Sequence, residues 1–180
     1  MLVLFGHKIS LCAIKQNFKY NKNYMKMKGV IMSKTLLVFH SYTGNTKVIA
    51  EKIKELIDCD MIELEPIVPF SKDYQQVVDE YQNNSIKEEV KIKKVDVDLN
   101  DYDKIIVGSP VWWYTITPVI TTFLKENDLS GKTIYPFATN AGWLGHSFQD
   151  IKKLCPNSNV ENGLNVVFSD YENHRIRTDE

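Results

Sequence analysis

From Thr35 onward, short apolar runs alternate with stretches whose apolar positions recur every three or four residues. "TLLVFH" (35–40) and "KIIVG" (104–108) are continuous runs, as expected of strands covered on both faces. "MIELEP" (61–66) alternates, which suits a strand nearer an edge. "KTIYPFAT" (132–139) and "GLNVVFS" (163–169) supply two further strands. Between them lie helical patterns. Val48, Ile49, Ile53, Leu56 and Ile57 form one stripe of "NTKVIAEKIKELI" (45–57), and Tyr74, Val77, Val78 and Tyr81 form another between Pro69 and Asn84. Thr117-Pro118 reads as an N-cap followed by proline at the first helical position, opening a helix through "VITTFLKEN", and a last helix is expected near 147–154. Five strands with intervening helices predict parallel crossovers, hence a three-layer, doubly wound α/β sheet in one domain over 32–180.

Ligands of such sheets sit beyond the carboxyl ends of the strands, where the strand order reverses. Three turns qualify: 41–46 after the first strand, 109–115 after the third and 139–145 after the fourth. The first holds the Ser41, Thr43 and Thr46 hydroxyls and the Asn45 amide around Gly44, at a helix start. Backbone N–H groups and the helix dipole there favour an anion such as a phosphate dianion, although an ordinary capped helix would read the same. The second, "SPVWWYT", carries two tryptophans and a tyrosine that cannot all face one core, so at least one projects outward, where a flat conjugated ligand or a protein surface would cover it. The third, "TNAGWLG", adds Gly142 and Gly145 for close backbone approach and Trp143 as a wall.

Several chemistries are excluded. There is no G-x-x-x-x-G-K-[ST] of a nucleoside triphosphatase and no G-x-G-x-x-G of a dinucleotide turn. "KIIVGS" carries no carboxylate, which disfavours a phospho-acceptor receiver domain. Cys12, Cys59 and Cys155 show no metal-ligand spacing and read as reduced thiols of a cytoplasmic protein, and no metal site is expected. Residues 1–31 hold six lysines and no acid, which leaves 16 basic against 23 acidic side chains, a net charge of about −7, in 32–180. So acidic a body argues against nucleic acid. Residues 1–31 themselves read as a non-native or disordered basic extension ahead of a natural start at Met32, the rival being a basic arm for anionic surfaces. "MLVLF" is stopped by His7 and Lys8, too short for a membrane span.

The three turns together resemble those of flavodoxins. "SYTGNT" looks like their phosphate loop, "GSPVWW" is similar to the G-x-P-x-W-W segment of one branch, and "TNAGWLGHSFQDIKKLCP" resembles that branch's third loop and Ser-x-x-D-I helix. The likeness spans about 35–169. It implies the flavodoxin-like strand order 2-1-3-4-5 and noncovalent FMN. Ser41, Tyr42, Thr43, Gly44, Asn45 and Thr46 would belong to the phosphate loop. Pro110, Val111, Trp112, Trp113, Tyr114, Thr139, Asn140, Ala141 and Gly142 would line the flavin ring, with Trp112 or Trp113 stacking on it.

The function implied is low-potential electron transfer to redox partner proteins, with no catalytic acid or base. An NAD(P)H-dependent FMN or quinone reductase on the same fold and a cofactor-free interaction protein are the alternatives. His40 reads as structural, His146 as peripheral and His174 as exposed. Two departures stand out. Tyr114 occupies a position where many relatives have glycine, so a left-handed conformation there would cost roughly 1 to 2 kcal/mol. "YENHRIRTDE" follows the fifth strand where a last helix is usual, and Thr178-Asp179-Glu180 reads as a helix start with nothing after it. The last helix is therefore expected to be missing, with marginal stability and a homo-oligomer or partner over the bare face as the consequence.

Overall fold

The computed structural model describes residues 34–82, 90–170 and 173–177. The basic extension, Cys12 and the helix start at Thr178 lie outside these residues. β1 (Lys34–Phe39) sends Leu36 and Val38 to one face and Leu37 and Phe39 to the other, and all four are buried. The continuous apolar run is thus what a two-sided burial writes into a strand of period two. β2 (Asp60–Glu63), β3 (Tyr102–Trp112), β5 (Thr133–Asn140) and β7 (Leu164–Asp170) join it in the order β2-β1-β3-β5-β7, all parallel. Counting these five strands alone, the order is the expected 2-1-3-4-5.

Three short strands decorate this sheet. β4 (Thr115–Ile116) folds back antiparallel on the end of β3, β6 (Asn159–Val160) pairs in parallel with the start of β5, and β8 (Arg175–Ile176) runs antiparallel along β7. β3 is longer than the apolar run predicts, so Pro110, Val111 and Trp112 belong to the strand and not to a loop. Likewise Thr139 and Asn140 close β5.

The helices are α1 (Asn45–Leu56), α2 (Tyr74–Tyr81), α3 (Pro118–Glu126) and α4 (Ser147–Leu154). Ile49, Ala50 and Ile53 of α1 pack on the Leu37, Phe39, Ile106, Phe137, Val166 and Phe168 face. Ile120, Phe123 and Leu124 of α3 and Ile151 of α4 cover the opposite face, on Leu36, Val38, Ile105 and Val107. Only α1 covers the first face among the described residues, and Tyr135, Leu164 and Ile176 there remain part-buried. β8 pairs antiparallel with β7, at that edge of the sheet.

Pro118 does stand at the first turn of α3, with Thr117 as its N-cap. The Thr117 side chain makes no cap bond; its Oγ1 is buried without a partner. The backbone N–H of Thr117 instead donates to Ser109 Oγ at 3.0 Å, which ties the start of α3 to the end of β3. Among the described residues no helix is long and apolar enough to cross a membrane, and no group of three potential metal ligands occurs. Cys59 and Cys155 are free, and burial pushes each thiol up to about 11.

Candidate functional site

The ends of β1, β3 and β5 are neighbours in the sheet, and the chain leaves each of them into one of the three loops. At the first, Gly44 with φ +91 is the N-cap of α1 and brings no side chain to the first turn. The hydroxyls around it are oriented by the frame. Ser41 Oγ accepts from Lys47 N at 3.2 Å, and Thr43 Oγ1 accepts from Asn45 Nδ2 at 3.2 Å. A hydroxyl whose lone pair is engaged keeps its proton for another acceptor, so both point donor capacity at whatever the loop holds. Asn45 and Thr46 are almost fully buried, and Thr46 Oγ1 lies 2.9 Å from Thr139 Oγ1, which links the first loop to the third. Lys47 pairs with Glu63 at 2.8 Å and so is held toward β2.

The second loop is a two-residue hairpin between the paired residues Trp112 and Thr115. Its central residues, Trp113 at φ +44 and Tyr114 at φ +70, both have positive φ, the mark of a type I′ turn that Asn-Gly usually fills. Tyr114 thus does adopt a left-handed conformation, and Trp113 shares it. Each costs about 1 to 2 kcal/mol. The turn is held from outside: Tyr114 O accepts from His146 N at 2.8 Å, and the Tyr114 ring meets Trp143 edge-on at 5.8 Å.

Trp112 turns inward. Its ring packs with Phe70 at 4.9 Å, Tyr42 at 5.5 Å, Tyr81 at 5.8 Å and Trp113 at 5.7 Å, which leaves it 9% exposed. Phe70, on the loop after β2, has no sequence signal of its own beyond being an aromatic in a polar stretch. Tyr42 fastens that loop by donating from its hydroxyl to Ser71 O at 2.7 Å. With Trp112 enclosed, Trp113 is half-buried, and Tyr114 and Trp143 stand exposed at the rim. Pro110 and Val111 are half-buried beside them, and Ala141 and Gly142 are exposed on the third loop.

In the third loop Gly142 N donates to Asn140 Oδ1 at 2.8 Å, while Asn140 Nδ2 reaches Asn165 Oδ1 at 2.6 Å. His146 pairs with Asp150, which also accepts from Thr115 Oγ1 at 2.5 Å and from Lys153 at 3.3 Å. Burial would raise the Asp150 carboxyl, but those donors outweigh it and hold it below the usual carboxylate range. His40, at the head of the first loop, has its pKa lowered by burial; its ring makes one bond, from Nδ1 to Leu64 O at 3.0 Å, and its Nε2 has no partner. His174 is exposed, as expected, and also reaches the first loop, where it bonds Asn45. The sequence gives no sign of that contact.

Residues 41–46, 109–115 and 139–145 contain no Asp, Glu, Lys or Arg. A neutral donor set at a helix start beside an aromatic rim fits a phosphorylated, flat, conjugated molecule, held by hydrogen bonds at one end and by ring contacts at the other. The sequence profile of the flavodoxin family matches residues 34–175. The chain is a member of the flavodoxin family.

Solved structures agree with the fold. A candidate flavoprotein from Bacteroides eggerthii DSM 20697 superposes with a TM-score of 0.69 at 30% identity, covering 79% of this chain and 94% of that one. A flavoprotein from Lactobacillus acidophilus NCFM, solved in complex with FMN, gives 0.65 at 28% identity over 74% of this chain and 93% of its own. A candidate flavoprotein from Bacteroides uniformis ATCC 8492 shares the fold at 0.69 and 24% identity, covering 81% of this flavodoxin-family chain and 97% of its own. No curated protein matches the sequence.

Proposed function

We propose that this flavodoxin-family protein binds FMN noncovalently and carries electrons at low potential between redox partner proteins. The observation that carries the reading is the meeting of the three loops, joined by the Thr46–Thr139 and His146–Tyr114 bonds, with hydroxyl and N–H donors at one end and aromatic rings at the other. Ser41, Thr43, Gly44, Asn45 and Thr46 hold the phosphate, with Tyr42 bracing the loop from behind. Trp113, Tyr114 and the Thr139–Gly142 segment border the flavin ring, and Pro110 and Val111 carry that border from β3. Trp112 supports it from the interior.

FMN supplies the electron chemistry. The protein excludes water with Trp113 and Tyr114 and surrounds the cofactor with an acidic body. Both features disfavour added negative charge on the flavin, which lowers its potential.

Titration of FMN fluorescence with the protein tests the reading, followed by NADPH and NADH added without air. Stoichiometric quenching with no bleaching by either nucleotide is expected of a carrier that draws electrons from a separate reductase. Rapid bleaching would identify an NAD(P)H-dependent reductase instead, and unchanged fluorescence would leave a cofactor-free interaction protein.

A further inference from the structure

Two residues 129 positions apart meet at the first loop. His174, in the turn between β7 and β8, places Nδ1 2.7 Å from Oδ1 of Asn45. An amide oxygen only accepts, so Nδ1–H is the donor. Asn45 in turn donates from Nδ2 to Thr43 Oγ1, and the Thr43 proton is left for the anion. The imidazole also closes over the loop: its Cε1 lies 3.3 Å, and its Nε2 3.9 Å, from where a Cβ on Gly44 would sit. His174 has φ +52, Asn173 bonds Asp170 through N at 3.0 Å and through Nδ2 at 2.8 Å, and beyond β8 Arg177 N donates to Val167 O at 2.7 Å.

We propose that His174 is a positioning residue for the anionic end of the cofactor, and that it sets the preference for phosphorylated over unphosphorylated flavin. It acts by fixing which way round the buried Asn45 amide sits. Turned end for end, that amide would offer Thr43 an oxygen, and the Thr43 proton would go to Asn45 and be lost to the phosphate. The direction of this relay is thus tied to a donor that comes from outside the loop motif. The proposal rests on the FMN reading above.

The test compares FMN with riboflavin, titrated by quenching of flavin fluorescence, on the full chain and on His174→Asn. Asparagine accepts the left-handed φ but is too short to reach Asn45. The FMN dissociation constant is expected to rise about tenfold and that of riboflavin by less than about twofold. Inorganic phosphate, added as a competitor of FMN, should compete less on the variant than on the parent protein. In a Thr43→Val background, where the relay has no end, His174→Asn should have no further effect.

Equal losses for both flavins, unchanged FMN affinity, or a full extra loss in the Thr43→Val background would overturn the proposal. So would a parent protein that binds FMN and riboflavin equally, although FMN binding would then stand. A parent protein that quenches neither flavin overturns the FMN reading, and the role of His174 with it.

Discussion

A Cβ on Gly145 would lie 2.1 Å from the carbonyl oxygen of Tyr114, so the second and third loops touch backbone to backbone. Gly145 also has φ +60. Gly145→Ala therefore has to force the loops apart while adopting a left-handed conformation. It is expected to destabilise the protein by about 2 kcal/mol or more and to abolish tight FMN binding. Urea unfolding with flavin titration checks this, and a variant of parental stability and affinity would contradict the contact.

Tyr114 carries strain that glycine would not. Tyr114→Gly should stabilise the protein by about 1 kcal/mol, after allowance for the greater freedom of glycine in the unfolded chain. The same change frees the Trp113–Tyr114 turn to move and should shift the flavin midpoint potentials. Chemical denaturation and spectroelectrochemistry read the two effects separately, and a less stable variant would show that the turn is not strained.

Trp112, at the end of β3, and Trp143, in the third loop, should behave oppositely. Trp112→Ala removes a ring enclosed by four aromatics and is expected to cost about 3 to 5 kcal/mol. Trp143, 69% exposed, should change stability by no more than about 0.5 kcal/mol on replacement by alanine while still altering flavin binding. Thermal melts of the two variants make the comparison.

His40 ties stability to pH. Burial lowers its pKa from the ordinary 6.5, so below that value the unfolded chain takes up a proton that the native state refuses. The contribution is complete above pH 6.5 and is lost as pH falls from there toward the native pKa. Stability measured by urea unfolding should thus decline as pH falls below 6.5, and His40→Asn should flatten that part of the decline.

The order of strands and helices was legible because burial on both faces leaves uninterrupted apolar runs, and one-sided burial leaves the helical stripe. The first loop was legible for a local reason: its donors are neighbours in sequence. Features that depend on distant partners left no trace. Nothing near His174 signals Asn45, and nothing near Phe70 signals Trp112. The hairpin at Trp113–Tyr114 was hidden because its residues are not those that type I′ turns prefer. Thr117 caps α3 by position alone: its side chain makes no cap bond, and its backbone N–H donates to Ser109, eight residues earlier on β3.

All three tryptophans of the chain stand close to two adjoining loops, Trp112 at the end of β3, Trp113 in the hairpin that follows it and Trp143 in the third loop. The molecule therefore carries its own optical probe at one end of the sheet. Light absorbed at the red edge of the protein band is absorbed by these rings alone, so their emission reports on the loops while the rest of the fold stays dark. A flavin seated among them would accept that excitation, and occupancy could be followed without any label.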